Sequence, residues 1–171
     1  MRAILDLGRG LHEELMTHLL PPKCCQEQGA FLFVQAIRSD REITFDVIEV
    51  AKLGRRDFAV QAGDYLEMAD EARAGLIKRA HDLNASLVEM HSHLGRWPAA
   101  FSPSDRMGLA ETVPHMWWRL KKCPYVAIVV AKSGFDALLW LDDPTTPRGL
   151  EGIRAGDRFL RPTNNSLRGW P

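Results

Sequence analysis

A strand that ends in two histidines, followed by a helix start that carries an aspartate, constrains this chain more than any other stretch. The run Leu87–Met90, which is apolar except for Glu89, predicts the last part of a buried strand, and His91 and His93 follow it, one residue apart. Side chains at positions i and i+2 of a strand point to the same face. Both imidazoles can therefore reach one point in space, whereas Ser92 faces the other way.

The helix start follows after a loop and reads Ser102-Pro103-Ser104-Asp105. Ser102 is a suitable N-cap, Pro103 suits the first helical position, and Asp105 falls in the first turn. Two imidazoles and one carboxylate predict a three-ligand zinc site with water in the fourth position, which is the pattern of catalytic zinc. A His-x-His pair alone is a weak signal, and its combination with Ser102 and Asp105 favours metal binding.

These residues resemble the JAMM motif of the JAB/MPN zinc metallopeptidases. That motif has a glutamate, then His-[Ser/Thr]-His, about seven residues, Ser, two residues and Asp. Here His91-Ser92-His93 is followed by eight residues, Ser102, two residues and Asp105. The resemblance covers roughly residues 9–142. It implies a zinc ion held by His91, His93 and Asp105, in a JAB/MPN-like (cytidine-deaminase-like) fold.

The resemblance also assigns two catalytic roles. In the family a glutamate opens the strand after the first helix and binds the zinc-bound water; Glu27 has that place, although Ala30 replaces the usual glycine. Glu89 is the alternative, since it shares a face with His91. Glu27 is preferred because the base must approach from outside the ligand strand. Ser102 would hydrogen-bond the oxyanion, and the alternative for this residue is an N-cap role alone.

The order of predicted elements indicates a mixed α/β (α+β) fold, with a curved mixed sheet flanked by helices in a single domain over residues 1–161. Amphipathic spacing predicts helices, and apolar or alternating runs predict strands. Pro114 is expected to interrupt the third helix. Residues 162–171 are interpreted as a solvated C-terminal tail. The expected elements are helices at 9–20, 65–84 and 102–112 and strands at 27–36, 43–50 with a bulge near Val47-Ile48, 58–61, 87–91, 125–131, 135–141 and 153–160.

Composition restricts the partners and the compartment. The 171 residues include 22 Lys plus Arg and 22 Asp plus Glu, so no net charge attracts nucleic acid or an anionic membrane. No apolar run could span a bilayer, and no secretory signal is evident. Three cysteines do not form a disulfide framework, which favours the cytoplasm. Cys24 and Cys25 could be soft metal ligands in principle, but unreactive thiols are the preferred interpretation.

The family resemblance implies hydrolysis of a peptide or isopeptide bond after the C-terminal glycine of ubiquitin or a ubiquitin-like protein. The extended tail of that substrate would add a strand at a sheet edge near the zinc. The short chain is similar to bacterial or archaeal deubiquitinase-like members, which would work with activating and conjugating enzymes of the same operon. The alternative is a non-catalytic MPN-type scaffold. The motifs of zinc deaminases and of His-Glu-x-x-His proteases do not occur.

Overall fold

The computed structural model describes residues 1–168 and 170 and contains three α-helices and eleven β-strands. The helices are α1 (Gly8–Leu19), α2 (Asp70–Leu83) and α3 (Pro103–Arg119). The strands are β1 (Arg2–Asp6), β2 (Gly29–Arg38), β3 (Glu42–Lys52), β4 (Phe58–Gln61), β5 (Leu66–Met68), β6 (Ser86–Ser92), β7 (Tyr125–Ala131), β8 (Gly134–Trp140), β9 (Arg148–Gly149), β10 (Gly152–Ala155) and β11 (Arg158–Leu160).

Nine of the strands form one strongly curled mixed sheet in the order β11-β10-β1-β3-β2-β6-β7-β8-β9. The pairs β1–β10, β1–β3 and β6–β7 are parallel, and the other pairs are antiparallel. Strands β4 and β5 form a separate antiparallel hairpin. The fold is thus a mixed α/β single domain with three helices, as predicted at this level.

The helices cover both faces of the sheet. On one face α1 buries Leu15 and Leu19 against side chains such as Leu32 and Val88. On the other face α2 and α3 pack on the alternate residues of the same strands, for example Leu87. Because both faces are covered, every residue of β7 is buried, which explains its continuous apolar sequence. No helix within the described residues has the length and apolarity needed to cross a membrane.

Two predicted strands and one predicted bulge are confirmed in detail. The strand expected at 125–131 coincides with β7, and it forms a hairpin with β8, which lies one residue from the strand expected at 135–141. The expected bulge lies in β3: Phe33 pairs with Glu49 and Val34 pairs with Val47, which leaves Ile48 without a partner. A bulge of this kind bends the strand and increases its twist.

Two helix boundaries were predicted wrongly. The helix expected over residues 65–84 begins only at Asp70, because residues 66–68 pair with β4 and form β5. The third helix does not stop at Pro114 but continues to Arg119. An internal proline costs a helix about 3 kcal/mol. Here Val113 and Trp117, on either side of Pro114, are buried against the sheet, and this packing offsets the cost.

The ends of the chain also differ from expectation. Strand β1 was not anticipated, and the single strand expected at 153–160 is the hairpin β10–β11. The segment after Arg161 is not a solvated tail over its described part. Thr163 and Ser166 hydrogen-bond to the domain, and Trp170 contacts Trp140 with ring centroids 5.3 Å apart.

Candidate metal centre

The two histidines lie at the end of a central strand. His91 belongs to β6, where it pairs with Gly29 of β2 and Val129 of β7. The pairing extends one residue beyond β6, because the His93 N–H donates to the Val130 carbonyl (2.8 Å). The extended backbone places both imidazoles on the face covered by α3, as predicted. Ser92 points to the opposite face and is fully buried.

The first turn of α3 supplies the carboxylate of the site. Ser102 is the N-cap, and its hydroxyl accepts a hydrogen bond from the Asp105 N–H (3.1 Å). In return the Asp105 carboxylate accepts one from the Ser102 N–H (2.7 Å), which completes a capping box. Pro103 occupies the first turn, as the sequence predicted. The same oxygen of Asp105, Oδ2, also faces both histidines.

The three predicted ligand atoms are nearly equidistant. His91 Nε2 and His93 Nε2 are 3.2 Å apart. Asp105 Oδ2 is 3.7 Å from the first and 3.2 Å from the second. A tetrahedral zinc ion with bonds of about 2.0–2.1 Å holds its ligand atoms about 3.3 Å apart. The cluster therefore fits a metal ion of this geometry, and it is the one His/Cys/Asp/Glu group of its kind within the described residues.

Burial and charge keep this cluster ready to bind a cation. Burial alone would raise the pKa of Asp105, but hydrogen bonds from His91, His93 and Ser102 hold that pKa well below its usual range. Burial lowers the pKa of His91, but the neighbouring Asp105 carboxylate outweighs it and raises that pKa overall. Asp105 is thus held in its carboxylate form, which is the form that binds a cation.

Glu27 lies beside the cluster, on a different segment from the histidines. Its Oε1 is 3.8 Å from His93 Nε2, and the residue is 4 % exposed. Its backbone is fixed from both sides, since its N–H donates to Ala62 and its carbonyl accepts from the Gln61 side chain. Burial raises the pKa of Glu27, opposed by the two histidines. A buried glutamate with a raised pKa next to a metal site is suited to proton transfer.

Glu89, the alternative base, is engaged elsewhere. It faces the same side as His91, but its Oε2 accepts a hydrogen bond of 2.5 Å from the Tyr125 hydroxyl. It forms no ion pair with either histidine within the part of the chain that the structure describes. The geometry therefore favours Glu27 as the group closest to the ligands. Tyr125 was not anticipated, because its distance from Glu89 in the sequence hides their contact.

A cleft of about 410 Å³ extends from the metal ligands between α3 and the β4–β5 hairpin. Its lining includes His91 and Asp105 at one end and Glu89 and Tyr125 on its floor. Three consecutive residues of β5, Leu66–Met68, line one wall, so the backbone of this strand borders the cleft. Arg73 also lines it, and its Nε is buried without a hydrogen-bond partner in the described residues.

The remaining candidates lie outside the cluster. Cys24 donates its thiol hydrogen to the Gln26 carbonyl (3.0 Å), and Cys25 is exposed. His18 is half-buried, and its Nε2 lies 2.9 Å from the Gly29 carbonyl. None of these residues joins His91 and His93 in the cluster.

Replacing Ser102 by alanine tests its two roles. The hydroxyl accepts the cap hydrogen bond through its oxygen, and its proton is a separate donor. We expect a loss of about 1 kcal/mol in unfolding free energy from the cap. We also expect a fall of roughly 10²–10³ in kcat if the hydroxyl binds an oxyanion. Thermal melting and cleavage kinetics measure the two effects separately, and a stability loss at unchanged kcat would leave Ser102 as a cap alone.

In comparisons with known proteins, the chain matches no protein-family model and no protein of curated function.

Proposed function

We propose that the chain is a zinc-dependent metallopeptidase of the JAB/MPN type, a deubiquitinase-like isopeptidase or peptidase. It would hydrolyse the bond after the C-terminal glycine of ubiquitin or a ubiquitin-like protein. One observation carries the proposal. Residues at the motif positions converge from three separate segments: His91 and His93 lie 3.2 Å apart, Asp105 faces both, and Glu27 Oε1 is 3.8 Å from His93.

The chemistry is divided among these side chains. His91, His93 and Asp105 would hold the zinc ion, which supplies a Lewis acid and lowers the pKa of a bound water to about 7. Glu27 would take a proton from the attacking water at its carboxylate and pass it to the leaving amine. The Ser102 hydroxyl would donate a hydrogen bond to the carbonyl oxygen as the carbonyl carbon becomes tetrahedral.

The cleft supports an extended peptide as the substrate. Strand β5 pairs with β4 alone within the described residues, which leaves its other edge unpaired, and its residues Leu66–Met68 line the cleft that leads to His91 and Asp105. An extended glycine-rich tail could pair with this strand through its backbone, and glycine fits because it needs no room for a side chain. The tail would then deliver its last carbonyl to the metal end of the cleft.

The fold and composition support the rest of the assignment. A curled mixed sheet with α1 on one face and α2 and α3 on the other is compatible with a JAB/MPN-like (cytidine-deaminase-like) domain. Free Cys24, Cys25 and Cys123 suit a reducing cytoplasm. We propose a bacterial or archaeal context, with activating and conjugating enzymes of the same operon as partners.

Cleavage of a panel of ubiquitin-like proteins with C-terminal fusions tests this function. Wild type, Glu27→Ala and chelator-treated protein are compared, and zinc content is measured in each. We expect wild type to cut after the terminal glycine and both controls to be inactive. Zinc bound at one per chain without cleavage of any substrate would contradict the substrate class. Absence of zinc would contradict the enzyme and favour a non-catalytic scaffold that holds the same tail.

A further inference from the structure

We propose that Asp136 and Ser166 position the metal-binding loop and thereby set the affinity and geometry of the metal centre. This inference rests on the proposed metal site. The metal-binding loop is residues 94–101, which join His93 to the helix start at Ser102. The C-terminal clamp is the set of Asp136, Thr163 and Ser166, which holds that loop.

Asp136 is the centre of the clamp. Asp136 lies on β8 and is fully buried, and both oxygens of its carboxylate accept hydrogen bonds. Oδ1 accepts from the backbone N–H groups of Ala137 (3.0 Å) and Asn164 (2.9 Å). Oδ2 accepts from the N–H (2.8 Å) and the hydroxyl (2.6 Å) of Ser166. A buried carboxylate with this set of donors has both oxygens satisfied and fixes the segment that supplies the donors.

Ser166 connects this carboxylate to the metal-binding loop. Its hydroxyl donates to Asp136 and accepts a hydrogen bond from the Phe101 N–H (2.8 Å), and the residue is 2 % exposed. Thr163 adds a second connection, since its hydroxyl donates to the Ala99 carbonyl (2.6 Å). The clamp therefore holds the last part of the loop, immediately before Ser102, by hydrogen bonds.

Asp136 of the clamp and the ligand His91 lie at positions in register across the sheet. His91 pairs with Val129, and Val129 pairs with Asp136, so Asp136 lies two strands from His91. Two strand spacings are about 10 Å. Phe101 lies between them, with its ring centroid 5.6 Å from that of His91. The loop bridges this distance, and its clamped end sets where α3 begins.

The loop needs such support because it has little structure of its own. It contains no helix or strand, and Gly95–Pro98 are exposed. If the loop became ordered only when the metal bound, the entropy cost of ordering the loop would weaken the metal affinity. With the clamp in place, Asp105 already faces the histidines before the metal arrives. Partners that orient metal ligands typically change metal affinity by 10–100-fold.

Metal binding by the full chain tests the clamp. We expect Ser166→Ala and Asp136→Asn to weaken Zn²⁺ binding by roughly tenfold in chelator competition, the lower end of the effect of ligand-orienting groups. Co²⁺, bound in place of zinc, should show a visible spectrum with weaker tetrahedral bands. Asp142→Asn is the matched control for the charge change, because Asp142 is an exposed carboxylate at the end of the same hairpin.

Leu15→Ala is the control that distinguishes an effect of the clamp from an effect of lower stability alone. Leu15 belongs to α1 and is buried against the opposite face of the sheet, so its truncation should lower the melting temperature and leave the Co²⁺ spectrum and affinity unchanged. If Asp136→Asn does not fold, Thr163→Val removes only the Ala99 contact and carries the test with Ser166→Ala. Wild-type affinity and spectrum in these variants would overturn the clamp. Wild type that binds no metal would instead overturn the proposed function itself.

Discussion

Replacing His93 by alanine should abolish tight zinc binding and, with it, the gain in thermal stability that zinc gives to the wild type. His93 Nε2 lies 3.2 Å from both His91 Nε2 and Asp105 Oδ2, so its loss removes the ligand nearest to both others. A ligand present at 100 times its Kd stabilises the folded state by about 2.7 kcal/mol. For a domain of this size that is roughly 5–11 °C in melting temperature.

The measurement is a pair of thermal melts, with and without added zinc, together with zinc content after dialysis. His115→Ala is the matched control, because His115 is exposed on α3 and absent from the ligand cluster. This control should keep both the bound zinc and the stability gain. An equal zinc-induced shift in His93→Ala and wild type would show that the metal binds elsewhere.

Replacing Glu27 by glutamine should reduce cleavage by roughly 10²–10⁴ in kcat while zinc remains bound. This is the range that a positioned general acid–base group contributes. Glutamine keeps the size of the side chain and its surroundings, in which the residue is 4 % exposed. It cannot accept the proton. Steady-state kinetics on the substrate identified by the cleavage panel, with zinc content measured in the same samples, separate chemistry from metal loss.

Glu89→Gln is the matched control for this substitution. Glu89 accepts its hydrogen bond from the Tyr125 hydroxyl, and the glutamine carbonyl can accept the same bond. We therefore expect a much smaller fall in kcat than for Glu27→Gln. The reverse order, with Glu89→Gln inactive and Glu27→Gln active, would assign the base to Glu89.

The metal cluster could be predicted from the sequence because each of its parts has a local signal. Strand alternation places His91 and His93 on one face, and the cap residues around Pro103 place Asp105 in a first turn. The contact between the strand end and the helix start is tertiary, and local sequence patterns do not predict it. The expectation of this contact came from the family resemblance. Nothing local indicated Ser166 or Asp136, since their contact with the loop joins segments far apart in the chain.

The errors in the fold have a similar origin. Residues 66–68 have apolar spacing that fits either a helix or a strand, and pairing with β4 decides between them. The penalty for Pro114 is local, whereas the packing of Val113 and Trp117 that offsets it is not. Strand β1 has only five residues, and its partners β3 and β10 lie elsewhere in the chain, so its own sequence does not indicate it. Local sequence patterns predict helices and strands, but they contain no information about the distant segments with which those elements pair.

The position of β1 has a consequence for how this chain is synthesised. One edge of β1 pairs with β3 soon after both emerge, but the other edge pairs with β10, where Ile4 lies opposite Gly152. At about 5–20 residues per second, roughly 5–20 s separate the two events on the ribosome. During that interval the nascent protein presents an unpaired apolar edge, which is a template for aggregation. Its yield in cells should therefore depend on chaperones that cover this edge during translation.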